Sequence, residues 1–427
     1  MAALTRFAGS EFADRNGLRP IAERLLHRAA SEAVRTGKSA GRAFAPLGEL
    51  RKRSKLKPRE GKPSDAFDLT PTEDQQMMRD VLRRFARESV RPAAHDADMH
   101  PERGAEVLEA AGELGLTVDV IPESLGGTAE HREILSSVLM AEDLAWGDMG
   151  LALAALSGRG FAAALTDFGT VDQQNRYLAA MAEEDAPVAA LAIDEQGPRS
   201  NPSHPQTRAT KVDGGYRLVG TKVMVPMATS ADLFLVTASV DGEGPTAFVV
   251  PGGRAGLTRT AARTMGLASA QLGTLEFDGV MLDGSTRVSP EYDHARLLDL
   301  AKLGVCALAV GTAQSVVDYV IEYCNEREAF GEPISHKQAV AFMIADMATE
   351  VDGMRLTTWR AAARAERGLD FHREVKLAHI LCSDHGMKVG SNGVQLLGGH
   401  GFVRDHPVER WYRQLRAVSI LSGGLVA

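Results

Sequence analysis

Gln395-Leu396-Leu397-Gly398-Gly399-His400-Gly401-Phe402, continued by Pro407-Val408-Glu409-Arg410, Arg413 and Ser422-Gly423-Gly424, is the stretch around which the chain can be ordered. Its clustered glycines leave little side chain between the backbone and whatever approaches it. The apolar lead-in, residues 387–397, has helical spacing, so the glycines fall near a helix end. Two readings follow. The glycines end the helix as a plain C-cap, or they present bare backbone to a phosphate or a planar ring.

A second stretch lies upstream. Arg327-Glu328-Ala329-Phe330-Gly331-Glu332-Pro333-Ile334 leads to Gln338 and then to a helical run over residues 339–351. Together the two stretches resemble the C-terminal half of the acyl-CoA dehydrogenase family. That family carries R-x-x-F-G-x-x-I-x-x-x-Q, then Q-x-x-G-G-x-G-[FY], then P-V-E-[RK]-x-x-R, and this chain has them in that order. The resemblance runs from about Asp68 to the C-terminus.

Length and composition agree with such a protein. A chain of 427 residues can bury a large core and form two or three domains. Its 44% apolar and 24% charged residues are those of an ordinary globular protein. No uninterrupted apolar run of about 18 residues occurs, so no membrane span is expected. The three cysteines, Cys306, Cys324 and Cys382, lack metal-ligand spacing and sit in apolar helical runs, which predicts buried free thiols, a reducing intracellular compartment and no metal site. Residues 1–64 hold 15 Lys+Arg against 6 Asp+Glu, a net +9, while the remainder carries −17 of the total −8. This basic arm reads as a solvated tail or as a weak contact for an acidic partner or membrane surface. Glu11, Asp14, Glu23, Glu32 and Glu49 argue against a mitochondrial presequence. A cytoplasmic protein with no nucleic-acid partner is expected.

Taken in order, residues 1–67 form the basic arm, with one amphipathic helix at 21–34 and a linker at 57–63. Residues 68–188 read as a helical domain, starting where Thr70, Pro71 and Glu73 suit a capped first turn. Residues 189–290 alternate apolar and polar positions in strands at 216–222, 233–238, 246–250 and 273–280, a small antiparallel barrel-like domain. Residues 291–427 read as a four-helix bundle, with helices at 300–324, 342–367, 372–396 and 408–421. The fold class expected is mostly α with a central β-barrel domain. The resemblance adds pairing of such bundles across subunits, as a homo- or hetero-oligomer, dimer or tetramer.

The resemblance also implies a reaction, the α,β-dehydrogenation of an acyl-CoA thioester. A carboxylate takes the α-proton, FAD accepts the β-hydrogen as hydride, and an electron-transfer flavoprotein takes the electrons away. By the same resemblance Arg327 meets the FAD pyrophosphate, Phe330 the adenine in the neighbouring subunit, and Gln338 supports their loop. Gln395, Gly398 and Gly399 accept the dinucleotide backbone. An arginine suits a diphosphate because its planar fork offers several donors.

The family's pattern is altered elsewhere. Its T-E-P-x-x-G-S-D corresponds to Asp194-Glu195-Gln196-Gly197-Pro198-Arg199-Ser200-Asn201, and its W-I-[TS]-N to Met224-Val225-Pro226-Met227. The indole that shields the flavin ring and the hydroxyl at its N5 edge are both missing, and Pro226 has no backbone N–H. The family's catalytic glutamate falls on Ser422, and the alternative glutamate position of some members falls on Ala301. Asp299 matches an acid kept for substrate positioning and is a second candidate base. Lys302, in place of the usual arginine, is three residues away on the same helix face, where the two can pair. The family continues with a further helix beyond the position of Ala427.

Four readings therefore stand. The chain is a flavoprotein acyl-CoA dehydrogenase with altered site chemistry, or a non-catalytic subunit of a hetero-oligomer. It is otherwise a flavin monooxygenase on the same scaffold, or a pseudoenzyme that binds acyl-CoA or nothing.

Overall fold

The computed structural model describes residues 69–197 and 200–427. The basic arm, with its amphipathic helix and linker, lies outside the described residues.

Helix α1 (Glu73–Phe85) begins two residues later than the sequence suggested. Its cap is Thr72, whose hydroxyl accepts from Gln75 N at 3.2 Å while Gln75 Oε1 accepts from Thr72 N at 3.0 Å. This pair closes the capping box, and Glu73 and Asp74 then lie in the first turn against the positive helix end. A widened turn at Ala86–Val90 leads into α2 (Arg91–Met99), followed by α3 (Ala105–Glu113). Helix α4 (Ile134–Ala145) is buried along its whole length, as the central rod of this domain must be. Helices α5 (Met149–Ala155) and α6 (Ser157–Phe168) follow, and a continuous helical stretch from Val171 to Met181 leads to the sheet.

The second layer is a seven-stranded sheet of β1 (Ala189–Ala192), β2 (Arg208–Val212), β3 (Gly215–Val225), β4 (Leu233–Val240), β5 (Gly244–Pro251), β6 (Leu257–Ala261) and β7 (Gly273–Asp283). The four strands expected are present, and β1, β2 and β6 join them. The sheet is not wholly antiparallel: β1 runs parallel to β4, with Ala189 opposite Leu233, and β2 pairs parallel with β4 at Arg208 and Ser239. Local alternation cannot report such pairings, because the partners are joined by long crossovers. Irregularities in the β3–β7 register near Gly220 and between Lys222 and Val225 bend the long strand where it meets the helical domains.

Helix α7 (His294–Glu326), a hairpin of β8 (Glu328–Ala329) and β9 (Glu332–Pro333), and helices α8 (Gln338–Glu366), α9 (His372–Leu397) and α10 (Val408–Ala417) form the third unit. By length and hydropathy α7 could cross a bilayer, but 89% of its most apolar window is buried inside the protein. It is the bundle's core helix. Its close approach to α4 requires glycine at 311, where a Cβ would stand 2.0 Å from Glu142 O. The three cysteines are buried free thiols, as expected.

The three units meet at Asp148, which is fully buried. Its Oδ1 caps α5 through Gly150 N and Leu151 N, each at 3.0 Å, and accepts from Ser269 Oγ of the sheet domain at 2.9 Å. Its Oδ2 accepts from Gln414 Nε2 at 2.7 Å and pairs with Arg410 Nε at 3.2 Å, both on α10. The arginine of P-V-E-R is thus a structural cation. Arg413 adds a second tie, donating to Asp98 of α2 at 2.7 Å and to the Met265 carbonyl at 2.9 Å.

Asp148→Ala would strand the buried Arg410 guanidinium and should cost about 3–5 kcal/mol. A urea unfolding curve checks this; a midpoint equal to the parent's would show that the domains are held together without this carboxylate.

Candidate functional site

The first part of the site lies at the open end of the bundle. The last turn of α7 places Tyr323 beside the glycine loop, where its hydroxyl meets His400 Nδ1 at 2.8 Å. One turn on, Arg327 N donates to Tyr323 O, and the hairpin begins. Hairpin and glycine loop therefore share one edge. Phe330 sits at the hairpin tip with φ +57° and is 98% exposed, which no burial within its own chain accounts for. The Arg327 guanidinium is exposed and has no hydrogen bond or ion pair among the described residues. Gln338, the first residue of α8, and Gln395, in the last turn of α9, are exposed too.

The glycines divide by cause. Gly398 ends α9 with φ +57°, the C-cap reading, yet a Cβ there or on Gly399 would meet nothing within 4 Å. Gly401 is different, since a Cβ there would stand 2.3 Å from Val394 O. Gly401 is required by the fold, whereas Gly399 is small without any need of its own chain. The motif carries both a helix stop and an open lip of bare backbone. The lip is free of side chains, although Gly398 N donates to Gln395 O, and Arg327, whose guanidinium has no partner among the described residues, belongs to the hairpin on the same edge.

The second part lies where three segments converge. Ile193-Asp194-Glu195 leaves β1, residues 222–227 end β3, and Ser422-Gly423-Gly424 follows α10. Val223 N donates to Asp194 O at 2.9 Å. A Cβ on Gly423 would come within 2.5 Å of Ile193 Cδ1, and Gly424, at φ +105°, faces Pro226. Met224 and Met227 both adopt φ above +50°, a strained backbone for methionine, in the run aligned with W-I-[TS]-N. Ring-edge donors are scarce here, since Pro226 has none and Met227 N is spent on Ala270 O.

The charged groups of this junction have distinct duties. Lys222 is fully buried and donates to Glu195 Oε1 at 2.8 Å, to Ile193 O at 3.0 Å and to Thr237 Oγ1 at 3.0 Å. Glu195 also accepts from Gln206 N and Thr207 N. Burial works against the Glu195 anion, but Lys222 and these donors hold its carboxyl below the usual range. Asp194 differs. Its Oδ2 accepts from Ser422 N at 3.0 Å, and burial raises its carboxyl despite Ser422, Lys222 and Lys302 nearby.

Asp299 does not pair with Lys302. Its Oδ2 lies 2.7 Å from His372 Nδ1 at the start of α9, and burial raises its carboxyl against the pull of that histidine. Lys302 has no hydrogen bond or ion pair among the described residues. Ala301 is fully buried, so the alternative glutamate position faces the core. Asp194 stands in the run that corresponds to T-E-P-x-x-G-S-D, where nothing in the sequence assigns it a partner. The available signal was a new carboxylate in one altered motif beside a lost carboxylate in another.

A cavity of about 510 Å³ lies elsewhere, between α1, α4, α7 and α8. Three of its arginines are paired within it, Arg79 and Arg83 with Asp143 at 2.8 and 3.0 Å and Arg355 with Glu142 at 2.8 Å. It belongs to the scaffold.

Helical, sheet and helical units in this order, with an open glycine lip on the last, define the scaffold. Residues 72–185, 190–280 and 293–424 match the N-terminal, middle and C-terminal domains of acyl-CoA dehydrogenase. A probable acyl-CoA dehydrogenase of Bacillus subtilis (strain 168) is 30% identical, over 84% of this chain and 96% of its own length. Butyryl-CoA dehydrogenase from Megasphaera elsdenii superposes with a TM-score of 0.76 at 28% identity, covering 83% of this chain and 96% of its own. A chain from a structure of the electron transferring flavoprotein of Acidaminococcus fermentans gives 0.77 at 30% identity, covering 83% and 96%. The chain belongs to the acyl-CoA dehydrogenase family, whose members carry FAD.

Two glycine substitutions separate the roles. Gly401→Ala should lower the unfolding midpoint by a clearly measurable margin, because its Cβ meets backbone. Gly399→Ala should change stability by no more than about 0.5 kcal/mol while lowering flavin content of the purified protein. Equal stability losses at both positions would assign the whole loop to folding.

Proposed function

We propose that the protein is a FAD-dependent oxidoreductase that dehydrogenates an acyl-CoA thioester between Cα and Cβ. The observation that carries this reading is the Arg327 guanidinium, which has no partner among the described residues, on the edge shared with the bare Gly398-Gly399 lip. A cation and a stretch without side chains at one edge suit a diphosphate, whose anionic oxygens an arginine fork can meet. In this reading Arg327 contacts the pyrophosphate and Phe330 covers the adenine of a neighbouring subunit's cofactor. Gln338 supports their loop, and Gln395, Gly398 and Gly399 receive the dinucleotide backbone. Bound FAD supplies the two-electron oxidation.

This chain's own residues set the substrate end. Asp299, held by His372, and Lys302, which has no partner among the described residues, position the thioester, and Ser422 stands at the family's base position. A serine hydroxyl is too weak a base to take an α-proton unaided, so a carboxylate must come from elsewhere. Electrons then pass to an electron-transfer flavoprotein. Exposed Phe342, Leu356, Leu377 and Ile380 on α8 and α9 support assembly into a homo- or hetero-oligomer, dimer or tetramer. A cytoplasmic location goes with this reading.

The visible spectrum of the pure protein tests it. The protein should be yellow and should bleach with at least one acyl-CoA in a series of chain lengths. A colourless protein would end the flavoenzyme reading. Arg327→Ala should weaken FAD binding about 10–100-fold, the loss of one charge-assisted contact, with the unfolding midpoint of the apoprotein unchanged.

A further inference from the structure

We propose that residues 423–427 are an internal plug: they fill an apolar slot between α6, α7 and β1, and they leave it by a local opening when an acyl chain takes their place. The choice of displacing ligand rests on the acyl-CoA dehydrogenase reading above.

In the conformation described, the junction of Asp194, residues 222–227 and Ser422 admits neither a flavin ring nor a thioester. Pro226 has no N–H, Met227 N is bonded to Ala270 O, and Ser422 N is bonded to Asp194 Oδ2. The space beyond them is taken by the chain itself. Gly423 and Gly424 are buried, and Leu425, Val426 and Ala427 are 2%, 0% and 1% exposed.

The slot is shaped for a slender occupant. A Cβ on Gly304 of α7 would stand 2.9 Å from Leu425 Cγ and 3.1 Å from Leu425 O. A Cβ on Gly160 of α6 would stand 2.9 Å from Val426 N and 3.2 Å from Leu425 Cα, with Leu191 of β1 closing the same wall. Glycine weakens a helix interior. At both positions the room it leaves is filled by residues 425 and 426.

The plug's backbone is poorly tied. Residues 421–427 belong to no helix or strand. Ala427 N donates to Leu300 O at 3.2 Å, and Arg132 Nη2 donates to Ala427 O at 2.5 Å. Between these ties and Ser422 N, the amides of Gly423, Gly424, Leu425 and Val426 donate to no acceptor among the described residues. A buried amide without an acceptor carries a desolvation cost. Apolar contact therefore holds the segment, and its backbone works against it. The charged groups beneath it also favour opening. Burial disfavours the Asp194 anion, and Arg132, buried with Asp167 at 3.5 Å, leaves Nη1 without an acceptor. Water admitted by opening would serve all of these groups.

The hinge is in place. Helix α10 is fixed through Asp148, and Gly423-Gly424 follow it, with Gly424 at φ +105°. A glycine pair between an anchored helix and an apolar tip lets the tip swing while the helix stays.

Hydrogen exchange of the full chain, read by mass spectrometry, tests the plug without reference to flavin. Residues 423–427 should exchange at least about 10-fold faster than the interior of α7, by an opening that low urea does not accelerate. Protection equal to that of α7, lost together with it in urea, would make the segment a fixed part of the core and overturn the proposal. Gly304→Ala adds a methyl aimed at Leu425 and otherwise suits a helix. It should raise exchange of residues 423–427 about 10-fold, the factor a mild steric clash supplies, with α7 as protected as in the parent. A variant in which the whole molecule loses protection in step would overturn the plug. The ligand is tested with an acyl-CoA whose chain length bleaches the FAD-loaded protein. It should raise exchange of residues 423–427, and Gly304→Ala should bind it about 10-fold more tightly, because more of the protein is already open. Bleaching with the segment's exchange unchanged would overturn the plug and leave the dehydrogenase reading intact. Local opening in a protein that no acyl-CoA bleaches would support the segment as a plug and overturn the dehydrogenase reading, and with it the acyl chain as displacer.

Discussion

Everything that places chemistry in this molecule depends on the Asp148 carboxylate being buried and filled. A buried anion is tolerated only when its lone pairs are occupied and its charge is answered. Asp148 meets that condition by drawing on every unit at once: two amides of α5, a hydroxyl of the sheet domain, an amide and a guanidinium of α10. Helix α10 cannot drift from the first domain without leaving that charge unsatisfied. The segment that follows α10 carries Ser422, Gly423 and Gly424. The position of the Asp194–Ser422 contact therefore depends on an ion pair at some remove from it.

The C-terminal motifs served two needs that the sequence could not separate. Their spacing announced an ordered constellation, but spacing does not say which members face outward. Arg327, Gln395, Gly398 and Gly399 are open at an edge, whereas Arg410, Arg413 and Gly401 are used up inside. The dividing principle is whether a residue's own chain already explains it. A glycine pressed against Val394 O and an arginine paired with Asp98 are explained; Arg327 is not.

The legible parts of the fold were those governed by local periodicity. The long helices and the four central strands follow from apolar spacing, and they fall close to where that spacing put them. The cap falls on Thr72 rather than Thr70: both threonines have a capping-box partner three residues on, Glu73 for Thr70 and Gln75 for Thr72, and the sequence does not choose between them. The parallel neighbours of β4 were illegible, because register across a long crossover is decided by packing. Asp299 was read against Lys302, its helix-face neighbour, yet its partner is His372, 73 residues away. Contacts of that range arise from how α7 and α9 lie together, which no window of sequence contains. For the same reason Asp194 and Ser422, 228 residues apart, became a pair only in three dimensions.

Phe330 has a further consequence. A phenyl ring held out on a hairpin by its own backbone, with only Lys337 Nζ at 6.0 Å from its centroid for company, buries almost nothing in the monomer that bears it. Under the proposed reading its benefit is felt only by the cofactor of another copy, so holding the dinucleotide and holding the assembly together become one equilibrium. Mass action then links the two. Dilution that separates the subunits would also release the pigment, and added dinucleotide would draw separated subunits back together. The colour of a solution would thus report its concentration history as well as its content.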